Sequence, residues 1–141
     1  MTVGKICVRE VEIVPKHETL QVAAAQMRDR NVGALVVLDD GQEPLGILTD
    51  RDVTIRVVAD GLDCRQMKVC DVMTELPYSI EEGTPIEDAL ARMRRGPYRR
   101  LPVVNRNRQL VGLLTLDDIL DLLSEEFSTI RGILAAEAPT H

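Results

Sequence analysis

Apolar and polar positions along the chain alternate with two periods, and the whole pattern occurs twice. Leu20, Ala23, Ala24 and Met27 recur at the spacing of one helix face, as do Ile86, Ala89, Leu90 and Met93. A short strand-like run precedes each helix, Glu12-Ile13-Val14 in one case and Tyr78-Ser79-Ile80 in the other. Two β-rich runs separated by polar turns follow each: ALVVLD and PLGILT, then RLPVVN and LVGLLT. A further helix closes each copy. The pattern predicts a β-α-β-β-α unit written twice, an α+β arrangement in which each sheet is too small to be buried except against its twin.

Sliding the sequence along itself by 66 residues confirms the repeat without a gap. Ala23 falls on Ala89, Ala25 on Ala91, Met27 on Met93, Arg28 on Arg94, Leu35 on Leu101 and Val37 on Val103. Gly46 falls on Gly112, Leu48 on Leu114, Thr49 on Thr115 and Asp52 on Asp118. The expected organisation is a first repeat over 3–60, a polar linker over 61–68, a second repeat over 69–123 and a C-terminal helical extension and tail over 124–141. Val69–Thr74 repeats the strand-like lead-in Val3–Val8. For the second helix, Thr84 is the expected cap, with Pro85 at the first helical position and Glu87 completing a capping box; in the first copy only Thr19 serves.

Composition narrows the function. The 141 residues are 45% hydrophobic and 28% charged, within the range of one folded domain or two small modules sharing a core. Aromatic residues make up only 2%, with no Trp, and the formal net charge is −6. Both features count against binding to DNA or RNA, which favours basic surfaces and stacking platforms. No apolar run approaches the length of a membrane span or a secretory signal, so a cytoplasmic protein is expected. Cys7, Cys64 and Cys70 lack metal-ligand spacing, and His17 and His141 stand near opposite ends, so neither a zinc site nor a disulfide framework is expected.

The residues that then stand out are Gly46-Ile-Leu-Thr-Asp-Arg-Asp52 and Gly112-Leu-Leu-Thr-Leu-Asp-Asp118, with DVMT at 71–74 ahead of the second copy. Together with the repeat, they make the chain resemble a tandem pair of cystathionine-beta-synthase (CBS) domains, a Bateman module, over nearly its whole length. The resemblance implies two repeats packed through their sheets with pseudo-two-fold symmetry and two clefts between them. It also implies regulatory binding of AMP, ADP, ATP, S-adenosylmethionine or a related ligand, with no obligatory cofactor, and association of two chains.

The motif has a chemistry of its own. Where a strand ends at Thr and a helix begins, backbone N–H groups and the positive helix end favour an anion. Asp52 and Asp118 are placed to accept hydrogen bonds from both hydroxyls of a ribose, and Thr49 and Thr115 to touch ribose or phosphate. The same spacing also reads as a capping box that only satisfies the helix end, and the two roles are compatible. Gly46 and Gly112 read as space for close packing. Arg100, ahead of the Leu101-Pro-Val-Val strand, is the leading phosphate contact, as a basic residue there is in similar domains, and Arg99 is the second. Gly33 and Ala34 replace them in copy one. Arg92, Arg94 and Arg95 read as a solvated helix face. Val14, Leu35, Ile80 and Pro102 are candidates to line an adenine slot, or simply core.

Leu116, Leu120, Leu123, Phe127, Ile130 and Leu134 recur with alternating spacings of four and three, a coiled-coil-like seam that either joins two chains in a homodimer or packs on its own sheet. No nucleophile has an evident base, and no phosphate-loop or dinucleotide fingerprint occurs, so the chain is not expected to be an enzyme. The expectation is a nucleotide-sensing regulatory module read by a separate effector protein. A purely structural dimerisation module is the alternative, with nucleic-acid binding a remote third.

Overall fold

The computed structural model describes residues 1–76, 78–96 and 98–137. Two mixed sheets form. In the first, β1 (Ile13–Pro15), β2 (Ala34–Leu38), β3 (Pro44–Thr49) and β4 (Thr74–Glu75) lie in that order; in the second, β5 (Ile80–Glu81), β6 (Arg100–Val104) and β7 (Leu110–Thr115) do. The first strand of each repeat runs parallel to the second, because a crossover helix joins them: α1 (Leu20–Arg30) or α4 (Ile86–Arg95). The next pair is antiparallel, and its register shift falls between Val37 and Leu38 in one repeat and Val103 and Val104 in the other, again 66 residues apart. After β3 the chain enters α2 (Asp50–Val53) and a π turn over Thr54–Val58; after β7 it enters the 22-residue α5 (Leu116–Glu137).

Alternation along the strands divides each sheet into two faces. Leu35, Val37 and Leu48 pack under α1 with Leu20, Ala23 and Met27, and Leu101, Val103 and Leu114 pack with Ile86, Ala89 and Met93. On the opposite faces Val36, Leu38, Ile47, Pro102 and Val104 are also buried. The apolar stripe of α1 is narrower than its spacing predicts, since Ala24 is exposed.

The lead-ins supply the main departure from the expected pattern. Neither is simply strand-like: Val3–Lys5 is a 3-10 turn and α3 (Val69–Val72) a single helical turn, before a bridge at Val8 and a short strand at Thr74. The Asp71 carboxylate of DVMT accepts the Lys68 N–H at 2.9 Å and closes that turn. Each lead-in docks on the other repeat. Val3 belongs to the core of the second repeat, Val69 and Val72 to that of the first. The Ile86 N–H donates to the Met1 carbonyl at 3.2 Å, and the Leu20 N–H to the Met67 carbonyl at 3.0 Å. Each crossover helix thus has a first-turn N–H, an orphan in an isolated helix, satisfied by the lead-in of the other copy.

This exchange displaces the expected cap of α4. Pro85, which has no acceptor side chain, occupies the N-cap, no side-chain cap bond forms, and the Thr84 carbonyl instead accepts the Val3 N–H at 2.8 Å. The plainer signal performs better: the Thr19 hydroxyl accepts the Val22 N–H at 3.3 Å.

Candidate functional site

The two motif copies build the same corner. The antiparallel ladder pairs Arg100 with Thr115, and its counterpart pairs Ala34 with Thr49. Strand then turns into helix at each Thr. At the second corner the Thr115 hydroxyl accepts the Asp118 N–H at 3.1 Å, and Asp118 Oδ2 accepts the Thr115 N–H at 3.3 Å. At the first, Thr49 and Asp52 make the same pair of bonds at 3.1 and 3.0 Å. The capping reading of Thr-x-x-Asp is therefore correct for both, and each box leaves the carboxylate's second oxygen for another partner.

The copies differ in what that oxygen meets. Asp52 Oδ1 accepts the Thr74 hydroxyl at 3.3 Å. The residue 66 positions before Thr74 is Val8, which has no hydroxyl, and among the described residues no protein donor reaches Asp118 Oδ1. The Asp118 charge adds a small upward push to the Cys7 thiol of the N-terminal lead-in, whose pKa burial raises above the ordinary range.

Arg99, Arg100 and Thr115 line one cavity of about 140 Å³ together with Leu116 and Asp117. Three of the residues expected at the site thus converge, and Leu116 and Asp117 join them without any sequence signal beyond adjacency. Asp118 is bonded to Thr115, which lines that cavity, but does not itself line it. The volume suits a phosphate-sized group; a whole nucleotide needs several hundred Å³. A second cavity, of about 340 Å³, is shared by the two repeats and lined by Arg9, Ile13, Leu38, Gln109, Leu110 and Val111 among others. Its one cation, Arg9, already pairs with Glu82 at 3.3 Å.

Val14, Leu35 and Ile80 lie in the helix-facing cores, and Pro102 is buried on the opposite sheet face. Arg94 and Arg95 are exposed, but Arg92 departs from the solvated-face reading: its guanidinium stands 5.3 Å from the centre of the Tyr78 ring. Tyr78 meets Tyr98 edge-on at 6.1 Å, so the chain's two tyrosines form one cluster. His17 is exposed, 4.0 Å from Asp40; His141 lies outside the described residues. Among the described residues no group of three or more His, Cys, Asp or Glu side chains is placed to hold a metal ion.

The close-packing reading of the glycines has a physical cause. A Cβ on Gly46 would stand 2.5 Å from the Thr74 carbonyl oxygen, and one on Gly112 would stand 2.8 Å from both Cys7 Sγ and the Val8 carbonyl oxygen. The motif glycines are where the exchanged lead-ins press against the sheets.

A twice-written β-α-β-β-α unit, with exchanged lead-ins and a Thr-x-x-Asp cap at each strand-to-helix corner, defines a tandem-repeat α+β module. The family model for the CBS domain matches residues 3–59 and 69–125, and the chain belongs to that family. Hypoxic response protein 1 of Mycobacterium tuberculosis is 36% identical over 125 residues, which are 89% of this chain and 82% of that protein. YlbB of Bacillus subtilis is 43% identical over 111 residues, 78% of this chain and 72% of that protein. The crystal structure of Hypoxic Response Protein I with two coordinated zinc ions superposes with a TM-score of 0.71 at 34% identity, covering 86% of this chain and 98% of that one. CBSX2 in complex with AMP superposes with a TM-score of 0.69 at 24% identity, covering 88% and 97%, and at that identity the similarity is one of fold. CBS pairs are regulatory modules. Among the described residues, no helix is long and apolar enough to cross a membrane.

Proposed function

We propose that this protein is a regulatory module that binds an adenosine-containing ligand, either AMP, ADP or ATP or S-adenosylmethionine, at the Thr115–Asp118 corner of the second repeat. The functional units are repeats over 3–60 and 69–123, a linker over 61–68 and an extension over 124–141. One observation carries the reading: Asp118 is held by its capping bonds and, among the described residues, keeps one oxygen without a protein donor, beside a corner whose Thr115 lines a cavity with Arg99 and Arg100. In this reading Asp118 accepts the ribose hydroxyls, the arginines and the Thr115 hydroxyl hold a phosphate, and the base lies against the strands of Ile80 and Pro102. The first corner, with Thr49 and Asp52 beside the strands of Val14 and Leu35, binds more weakly. Gly33 and Ala34 supply no cation there, and Thr74 occupies one oxygen of Asp52.

The module is not an enzyme; it acts in the cytoplasm as a homodimer. Ligand shifts the balance between two arrangements of repeats or chains only to the extent that it binds them unequally, and a separate effector protein reads the result. AMP bound to CBSX2, a protein of the same fold, is compatible with this ligand class. Calorimetric titration with AMP, ADP, ATP, S-adenosylmethionine and GTP tests the reading. Saturable binding by an adenosine ligand should be lost in Asp118→Ala and retained in Asp52→Ala; binding that survives Asp118→Ala refutes the ribose contact. The second reading, a structural dimerisation module without ligand, draws on the exposed apolar seam of α5. No binding by a folded dimer at millimolar ligand would establish it.

A further inference from the structure

Helix α5 has two parts with different surroundings. Leu116, Ile119 and Leu122 pack into the core of the second repeat. Beyond Leu122, every described residue of the helix is exposed through Glu137. A helix of this length, roughly four turns without tertiary contacts, is marginal in water. Its large exposed apolar residues, Ile133 apart, fall on one stripe: Leu120 is 52% exposed, Leu123 53%, Phe127 64%, Ile130 53% and Leu134 62%. The spacings of three and four average 3.5, the repeat that keeps one seam facing a partner helix over successive turns.

We propose that this seam pairs with the same seam of a second copy, in parallel and in register, as a short two-stranded coiled coil. The inference gives a contact surface to the homodimer of the preceding reading and rests on that part of it, not on the ligand. Leu120, Phe127 and Leu134 take the a positions, and Leu123 and Ile130 the d positions. Glu126 then falls at g and Arg131 at the following e. In a parallel pair these positions face each other across the seam, so Glu126 of one chain meets Arg131 of the partner subunit, twice per dimer. Arg131 is the only cation on α5, and it stands where the parallel arrangement needs one. Run antiparallel, g faces g and e faces e, and neither residue gains an opposite charge.

The other side of the helix argues against a lipid surface as the occupant. Asp117, Asp121 and Glu125 give it an acidic character, whereas interfacial helices carry Lys and Arg on the polar face to meet anionic headgroups. Gly132 falls at the outward f position, with nothing within 4 Å of an added Cβ, so the weakest helix former in the segment lies away from the seam.

Sedimentation equilibrium of the full chain at micromolar concentrations tests the pairing. The wild type should be a dimer, and Phe127→Glu, at an exposed position that leaves the repeats folded, should be a monomer. Glu126→Lys should raise the dimer dissociation constant by roughly threefold to tenfold, and adding Arg131→Glu should restore it to within about twofold. A monomeric wild type, or a dimer indifferent to Phe127→Glu, overturns the seam; a charge swap that fails to restore association overturns the parallel register. A wild-type monomer that pelleted with anionic vesicles would assign the stripe to a membrane instead. Nucleotide titration of the same samples is a separate readout, so a chain that dimerises through α5 without binding nucleotide sinks the ligand reading alone.

Discussion

At the scale of single residues, the motif combines packing with chemistry, and the two can be separated. Gly46 carries no chemistry, yet Gly46→Ala should lower stability by about 1–3 kcal/mol, because the obstructing atom is a backbone carbonyl that cannot rotate away. Gly83→Ala, with open space around it, is the matching control, and thermal melts of the two compare them directly. Cys7 gives a pH prediction. Burial, opposed in part by Arg9, raises its thiol pKa, so the folded chain holds that proton more tightly than the unfolded chain does. The associated stability is intact below the ordinary thiol range and is lost as pH rises through the raised value. Urea unfolding should therefore show a decline on the alkaline side that Cys7→Ala makes shallower, and iodoacetamide should label Cys7 more slowly at neutral pH in the folded chain than in urea. The Thr-x-x-Asp boxes and the space around the glycines were legible in the sequence, because both depend on neighbours a few residues away. The inequality of Asp52 and Asp118 was not: it turns on Thr74 against Val8, residues 22 and 110 positions distant, whose relevance appears only once the chain is folded.

Among the elements, strands and crossover helices follow their periodicity closely, since ALVVL, PLGILT, RLPVV and LVGLLT form strands as their patterns predict. The lead-ins do not follow theirs. A repeat offset of 66 is satisfied whether a lead-in packs on its own copy or on the other, so periodicity is silent about exchange. The expected cap at Thr84 failed for the same reason: the end of α4 is closed by backbone groups from residues 1–3, which local capping rules do not see. Truncating Val3, fully buried in the core of the second repeat, makes a distinct prediction. Val3→Ala should cost about 1–3 kcal/mol and speed amide exchange at Ile86 and along α4, more than 80 residues away in sequence, before it affects α1. Faster exchange confined to α1 would contradict the exchange of lead-ins.

Viewed as a whole, the molecule is two near-equal halves with unequal corners. Symmetry supplies two rigid Thr-Asp caps; asymmetry leaves Arg99 and Arg100 at one of them and Gly33 and Ala34 at the other. The fold class and family were legible because the repeat spans nearly the whole chain. The convergence of Arg99, Arg100 and Thr115 on one small cavity beside the Asp118 cap was not, since it depends on how the chain folds around that corner. The central claim is that Asp118 reads a ribose, and calorimetric titration of the wild type with AMP and with 2′-deoxy-AMP tests it most directly. Loss of a hydrogen bond to a charged acceptor should weaken the deoxy ligand by roughly tenfold or more. Asp118→Ala should show saturable binding of neither ligand. Equal affinities of the wild type for the two ligands would contradict the account.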